Sequence, residues 1–157
     1  MKITLLTIGK TEDKYLIEGI EKYLKRLKHY INFKIIEIPD LKNTKNLSQD
    51  QQKAKEAELI LKQVENTDQL VLLDEKGMEF SSTHFSGFLS KKMLSSVQHL
   101  VFVIGGPYGF DPNVYQRADD KISLSRMTFS HQMVRLFFVE QVYRAFTILK
   151  GEPYHHE

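Results

Sequence analysis

At 157 residues the chain is long enough for one domain with a substantial core, and the absence of cysteine excludes a disulfide scaffold, thiolate metal ligation and a cysteine nucleophile. The net charge of +2 is too small to mark a nucleic-acid binder by itself, but it is unevenly spread. Residues 1–55 hold 12 Lys/Arg against 7 Asp/Glu, residues 56–120 hold 5 against 10, and residues 121–157 hold 5 against 3, a pattern that solvated helix faces would also give.

The first apolar run, Lys2–Gly9, has strand length and is rich in β-branched residues, so a buried strand is expected. No small-residue cleavage pattern follows it, and no apolar stretch reaches the roughly 20 residues that span a bilayer. The expectation is a soluble, untargeted, cytoplasmic protein. Leu16, Ile20, Tyr23, Leu24 and Leu27 then recur at helical spacing, with Lys22, Lys25, Arg26 and Lys28 forming a basic face. Phe33–Ile38 reads as a strand stopped by Pro39, and Lys42–Asn46 as a loop.

Ser48 is the expected N-cap of a helix through Ala54, Leu59, Leu61 and Val64. Gln69–Leu73 reads as a strand ended by Asp74-Glu75-Lys76-Gly77, and Ser82 as the cap of a helix carrying Phe85, Phe88, Leu89 and Met93. Leu100–Ile104 is the most hydrophobic strand. A short helix is expected at Pro112–Arg117, a strand at Lys121–Leu124, and a long helix at Ser130–Lys150 stopped by Gly151. Strands alternating with helices predict an α/β fold, a mainly parallel sheet with helices on both faces, in a single domain over 1–157.

Five segments are candidates for chemistry. Thr7-Ile8-Gly9-Lys10-Thr11 resembles the end of a phosphate loop, but position 4 is Thr where that motif needs its first Gly, so an NTPase is rejected. Gly105-Gly106-Pro107-Tyr108-Gly109-Phe110 follows a buried strand. Its glycines permit positive φ and close approach of a ligand, although a tight turn without a ligand fits the spacing too. Leu124-Ser125-Arg126-Met127-Thr128-Phe129 is a second strand-end loop, whose main chain suits an adenine edge or simply leads into the cap at Ser130. The helix around Met133–Phe146 is apolar nearly all round, which predicts burial on two sides and a homodimer through this helix. Finally, Pro153-Tyr154-His155 ends the chain with residues suited to base stacking and proton handling, or frays there. His29, His84 and His99 are assigned to surfaces or helix ends. No metal-ligand spacing and no nucleophile elbow are found, so no metal is expected.

Together these motifs resemble the RlmH family, the bacterial large-subunit ribosomal RNA methyltransferases H, a minimal branch of the SPOUT superfamily. The resemblance spans the chain through Met1-Lys2-Ile3, Gly9, Ile36–Pro39, Ile104–Pro107, Leu124-Ser125, His131–Arg135, Glu140–Ala145 and Pro153–His155. It implies a C-terminal trefoil knot that binds S-adenosylmethionine, with cofactor contacts at Leu73, Gly105, Leu124, Ser125, Arg126, Met127, Thr128 and Phe129. It also implies methylation of N3 of a pseudouridine in helix 69 of 23S rRNA on the assembled ribosome, by a homodimer joined along the last helix. Within that reading His155 is the candidate proton acceptor and Tyr154 the stacking residue. Arg135 and Arg144 are candidates for steadying imide charge or gripping phosphate, or for pairing with Glu140. Lys25, Arg26 and Lys28 are the candidate RNA contacts. Competing readings are methylation of another RNA nucleotide, a non-catalytic ribosome-associated factor, and a nucleotide hydrolase.

Overall fold

The computed structural model describes residues 1–157. Five strands form one all-parallel sheet in the order β2-β1-β4-β3-β5. Strand β1 (Lys2–Ile8) lies between two neighbours and is covered on both faces, which is why its apolar run is unbroken. Helix α1 (Lys14–Leu27) buries Leu16, Ile20 and Leu27 and leads to the edge strand β2 (Asn32–Ile38). A short 3-10 turn at Thr44–Asn46 precedes α2 (Gln49–Leu61). That helix opens with a capping box: the Ser48 hydroxyl accepts from Gln51 N at 3.1 Å, and Ser48 N donates to Gln51 Oε1 at 2.9 Å.

Strand β3 (Gln69–Glu79) outruns the sequence expectation. Asp74–Gly77 leaves the ladder as a bulge, since both Leu73 and Met78 pair with Ile122, and the strand then resumes. Helix α3 (Ser82–Leu94) is capped by Ser81, whose Oγ accepts from His84 N at 3.1 Å, so Ser82 is its first residue and not its cap. Strand β4 (His99–Ile104), helix α4 (Pro112–Arg117) and strand β5 (Asp120–Ser123) follow. Helix α5 (Met133–Leu149) begins three residues after Ser130, whose Oγ nevertheless accepts from Met133 N at 3.0 Å.

The sheet separates two cores. One joins Ile3, Leu5, Val71, Phe102 and Ile104 to α1, α3 and α5, and the other joins Leu6, Leu70, Leu72, Val101 and Val103 to Ala57 and Ile60 of α2 and Val114 of α4. Alternate residues of each strand serve alternate faces, as the pleat requires. Helix α5 lies between α1 and α3 in its layer: Leu136 reaches Gly19, Tyr143 packs on Tyr23 and Phe138 on Phe85. Flanking helices therefore cover much of the apolar circumference of α5 within one chain. The expectation for His99 is corrected. It opens β4, with Nδ1 at 2.9 Å from Asp68 and Nε2 at 2.8 Å from Thr4 Oγ1, and so ties the sheet together at its far end.

Candidate functional site

At the carboxyl ends of β3, β4 and β5 the chain encloses a cavity of about 630 Å³. Crevices at this end are where open parallel sheets bind ligands, because successive connections diverge there. The cavity is lined by Leu73 and Asp74 from β3, by residues 104–110 after β4, and by residues 122–125 and 127–129 after β5. Seven of the eight expected cofactor residues, Leu73, Gly105, Leu124, Ser125, Met127, Thr128 and Phe129, thus meet on one hollow. The Arg126 side chain does not. It is 88% exposed, and its Nε donates to Glu79 at 2.8 Å.

The two loops are built differently. In residues 105–110 only Gly109 has positive φ, +83°, closing a turn in which its N–H donates to Gly106 O at 3.2 Å. Gly105 and Gly106 sit in crowded places instead: a Cβ on Gly105 would press on the Phe110 ring at 3.1 Å, and one on Gly106 would clash with Glu56 Oε2 at 2.5 Å. Loop 124–129 is held by side chains, with Ser123 Oγ donating to Ser125 O and Ser125 Oγ accepting from Met127 N. Those bonds use only the Ser125 carbonyl and the Met127 amide, which leaves the other main-chain groups of Leu124–Phe129 free to meet a ligand.

Under the first loop Glu56 is 4% exposed, and its Oε1 has no hydrogen-bond partner. Burial pushes its carboxyl above the usual range, and nearby Asp40 adds to the effect, while a hydrogen bond from Gln52 opposes it. A carboxyl with a raised folded pKa contributes stability that is present below the unfolded value and lost as pH rises through the folded one. Glu56→Gln is therefore expected to raise the melting temperature at pH 7, with the gain shrinking as pH falls toward 4. A gain independent of pH would show that ionisation is not its source.

Among the lining residues that the sequence did not single out as site residues are Gln49, Lys53, Asp74, Tyr115 and His131. Tyr115 donates its hydroxyl to Asp74, and burial together with that carboxylate keeps the phenol protonated well above its ordinary range. The spacing of Gln49, Lys53 and Glu56 behind the Ser48 cap was the available signal, since i, i+4 and i+7 share a helix face.

The candidate catalytic residues lie elsewhere in the chain. Arg135 is 1% exposed and spends its guanidinium on the protein: Nη2 donates to Ile8 O at 2.9 Å, Nη1 to Gly9 O at 3.0 Å and Thr11 Oγ1 at 3.1 Å, and Nε to His131 O at 3.2 Å. Carbonyls, not amides, converge after β1, so this loop receives a cation and has the opposite polarity to a phosphate loop. Burial lowers the Arg135 pKa, opposed by Glu37, Asp40 and Glu12. All three guanidinium nitrogens are thus engaged by the protein's own acceptors.

Arg144 pairs with Glu140 at 2.5 Å, donates to His155 Nδ1 at 3.2 Å and lies 4.8 Å over the Tyr154 ring. Tyr154 donates to Glu140 at 2.9 Å and packs on Tyr143 at 4.7 Å between ring centroids. Burial, then Tyr23 and Glu140, hold its phenol protonated. Farther back, Tyr30 donates to Glu152 at 2.6 Å, so the tail is anchored rather than frayed. None of Arg135, Arg144, Tyr154 or His155 lines the cavity. Arg144 lies ten residues beyond Val134 of the cavity wall, about 15 Å along α5 at 1.5 Å per residue. On α1, Lys25 and Lys28 are exposed, whereas Arg26 is drawn in over Tyr23 at 5.5 Å and Tyr143 at 5.4 Å. No helix is long and apolar enough to cross a membrane, and no group of three or more His, Asp or Glu could hold a metal.

A family model described as "Predicted SPOUT methyltransferase" matches residues 1–155. The chain is 62% identical over 157 residues, all of both chains, to the ribosomal RNA large subunit methyltransferase H of Parabacteroides distasonis. It is 63% identical over 156 residues to the protein of that name in Christiangramia forsetii, covering 99% of each chain, and 62% identical over full length to that of Flavobacterium johnsoniae. With its parallel sheet, its cavity at three strand exits and relatives that match from end to end, the chain belongs to the SPOUT methyltransferases, in the family of the ribosomal RNA large subunit methyltransferases H.

Proposed function

We propose that the chain, acting as one domain, methylates large-subunit ribosomal RNA in the cytoplasm with S-adenosylmethionine as donor. The target in this reading is N3 of a pseudouridine in helix 69 of 23S rRNA on the assembled ribosome, and the knotted C-terminal path implied by the family belongs to the same reading. The cavity carries it. About 630 Å³ falls within the range of small-molecule sites, about 300–1,000 Å³. Leu73, Leu124, Met127 and Phe129 offer apolar surface to a purine, and the free main chain of 124–129 offers donors and acceptors to its edge. Asp74 and Glu75 on the wall suit a positively charged ligand.

The cofactor supplies a methyl made electrophilic by its sulfonium, so the protein's part is alignment and removal of the imide proton. His155 is the proposed proton acceptor. Its Nδ1 is the basic nitrogen and takes a hydrogen bond from Arg144, so it receives the imide proton when that donor gives way, while the buried Nε2 carries the ring hydrogen and stands 3.6 Å from Glu157. Tyr154 is the proposed platform for the base, with Arg144 beside it to steady developing charge. Tail and cavity lie apart in one chain, so this division of labour calls for a homodimer joined along α5, the tail of one copy serving the cavity of the other. Phe137, 39% exposed, and Met127, 75% exposed, give that interface apolar surface beside the cavity. Lys25 and Lys28, on the helix that holds Tyr154 through Tyr23, are the proposed backbone contacts to RNA, with Arg26 contributing only its outer edge.

The test is methyl transfer from labelled S-adenosylmethionine to ribosomes lacking the modification, mapped by mass spectrometry. Label at the pseudouridine N3 is expected with assembled ribosomes and not with free 23S rRNA. Label at another nucleotide would replace the target, and cofactor binding without transfer would leave a non-catalytic factor. In the same single-turnover assay His155→Ala is expected to slow transfer with an altered pH profile, and an unchanged profile removes it as the base.

A further inference from the structure

Lys53 has no role in the reading above, yet it is not an ordinary surface lysine. It lines the cavity with only 23% of its side chain exposed. Its one ionic neighbour is Asp50 at 3.4 Å, whose side chain is 94% exposed, and a pair so solvated holds the ammonium weakly. Glu56, one turn further along the same helix face, does not neutralise it: the two form no ion pair, and burial favours the protonated carboxyl.

The lining also carries the opposite sign. Asp74 and Glu75, in the bulge of β3, line the same cavity, and the other lysine on the wall, Lys76, is exposed beside them. The hollow therefore holds both signs, with carboxylates supplied by β3 and a retracted ammonium supplied by α2. A ligand carrying both a cation and a carboxylate is oriented by such a field.

We propose that Lys53 is a ligand-binding residue that takes the carboxylate at the amino-acid end of the cofactor. The assignment rests on the S-adenosylmethionine reading. It makes α2, through the register fixed by the Ser48–Gln51 capping box, a fourth wall of the site.

Calorimetry with two thioethers separates the possibilities. S-Adenosylhomocysteine carries the amino-acid end, and 5′-methylthioadenosine has the same nucleoside without it. Lys53→Met is expected to weaken the first about tenfold or more, and to change the second by less than about twofold, since one charge-assisted contact is lost. Lys53→Arg is expected to restore most of the loss. Equal weakening of both ligands would show that Lys53 only shapes the cavity and would overturn the proposal. Unchanged binding of both, with weakened ribosome binding, would assign the ammonium to an RNA phosphate and overturn it too. Wild-type protein that binds neither thioether would remove the cofactor reading and this assignment with it, a result distinct from a wild type that binds both while Lys53→Met behaves identically.

Discussion

Arg135→Met is expected to destabilise the fold by about 3–5 kcal/mol, the usual cost of removing one partner from a buried charged network. The substitution preserves much of the side-chain volume, so packing is not what it removes. It strips the carbonyls of Ile8 and Gly9 and the Thr11 hydroxyl of their donor, in a place that water does not reach. It also leaves Glu37, whose carboxylate stands 3.9 Å from the guanidinium, without a counter-charge. Arg135→Lys keeps the charge but cannot fork toward three acceptors, so an intermediate loss is expected. Urea unfolding of the three proteins checks this. A Met variant as stable as the parent would show that the network contributes nothing, and a Lys variant of normal stability that fails in methyl transfer would return Arg135 to the reaction.

Gly77→Ala is the second large effect, with an expected loss of about 3 kcal/mol or more, at the upper end of overpacking costs. A Cβ there would sit 2.6 Å from Ile122 N and 2.7 Å from both Ile122 C and Lys121 C. All three are backbone atoms of β5, so no side chain can swing aside. The strain falls on the pairing of β3 with β5, and β5 is an edge strand with no other neighbour. Loop 124–129 leaves directly from β5, so cofactor binding is expected to fall with stability. Gly87 on α3, where a Cβ meets nothing within 4 Å, is the control, and Gly87→Ala is expected to be neutral or slightly stabilising. Denaturation and calorimetry on both variants decide the matter. A Gly77→Ala protein that melts and binds like the parent would show that the bulge yields freely.

These two residues also mark how far the sequence could be read. Asp74-Glu75-Lys76-Gly77 carried every local sign of a strand end, and the chain does leave the ladder there. What local chemistry could not show is that Ile122 waits to receive both Leu73 and Met78, so the strand resumes. Arg135 is a similar case. An arginine on an apolar helix reads equally as ligand, phosphate grip or buried pair until the end of β1 arrives beside it, 126 residues away in sequence. Arg144 did find Glu140, because that partner is one helical turn away and needs no tertiary information.

Local pattern determined much of this protein: the strands and helices, the Ser48 cap, the glycine loop after the most hydrophobic strand and the order of motifs shared with the family. Each depends on residues within a turn or two of one another. Only the tertiary structure decided that α5 is flanked by α1 and α3, that His99 bridges Asp68 and Thr4, that Arg26 folds over two tyrosines and that Lys53 faces the hollow. Those outcomes depend on the strand order β2-β1-β4-β3-β5, which brings segments far apart in the chain to one sheet end, and no periodicity along a single segment encodes which strand will lie beside which.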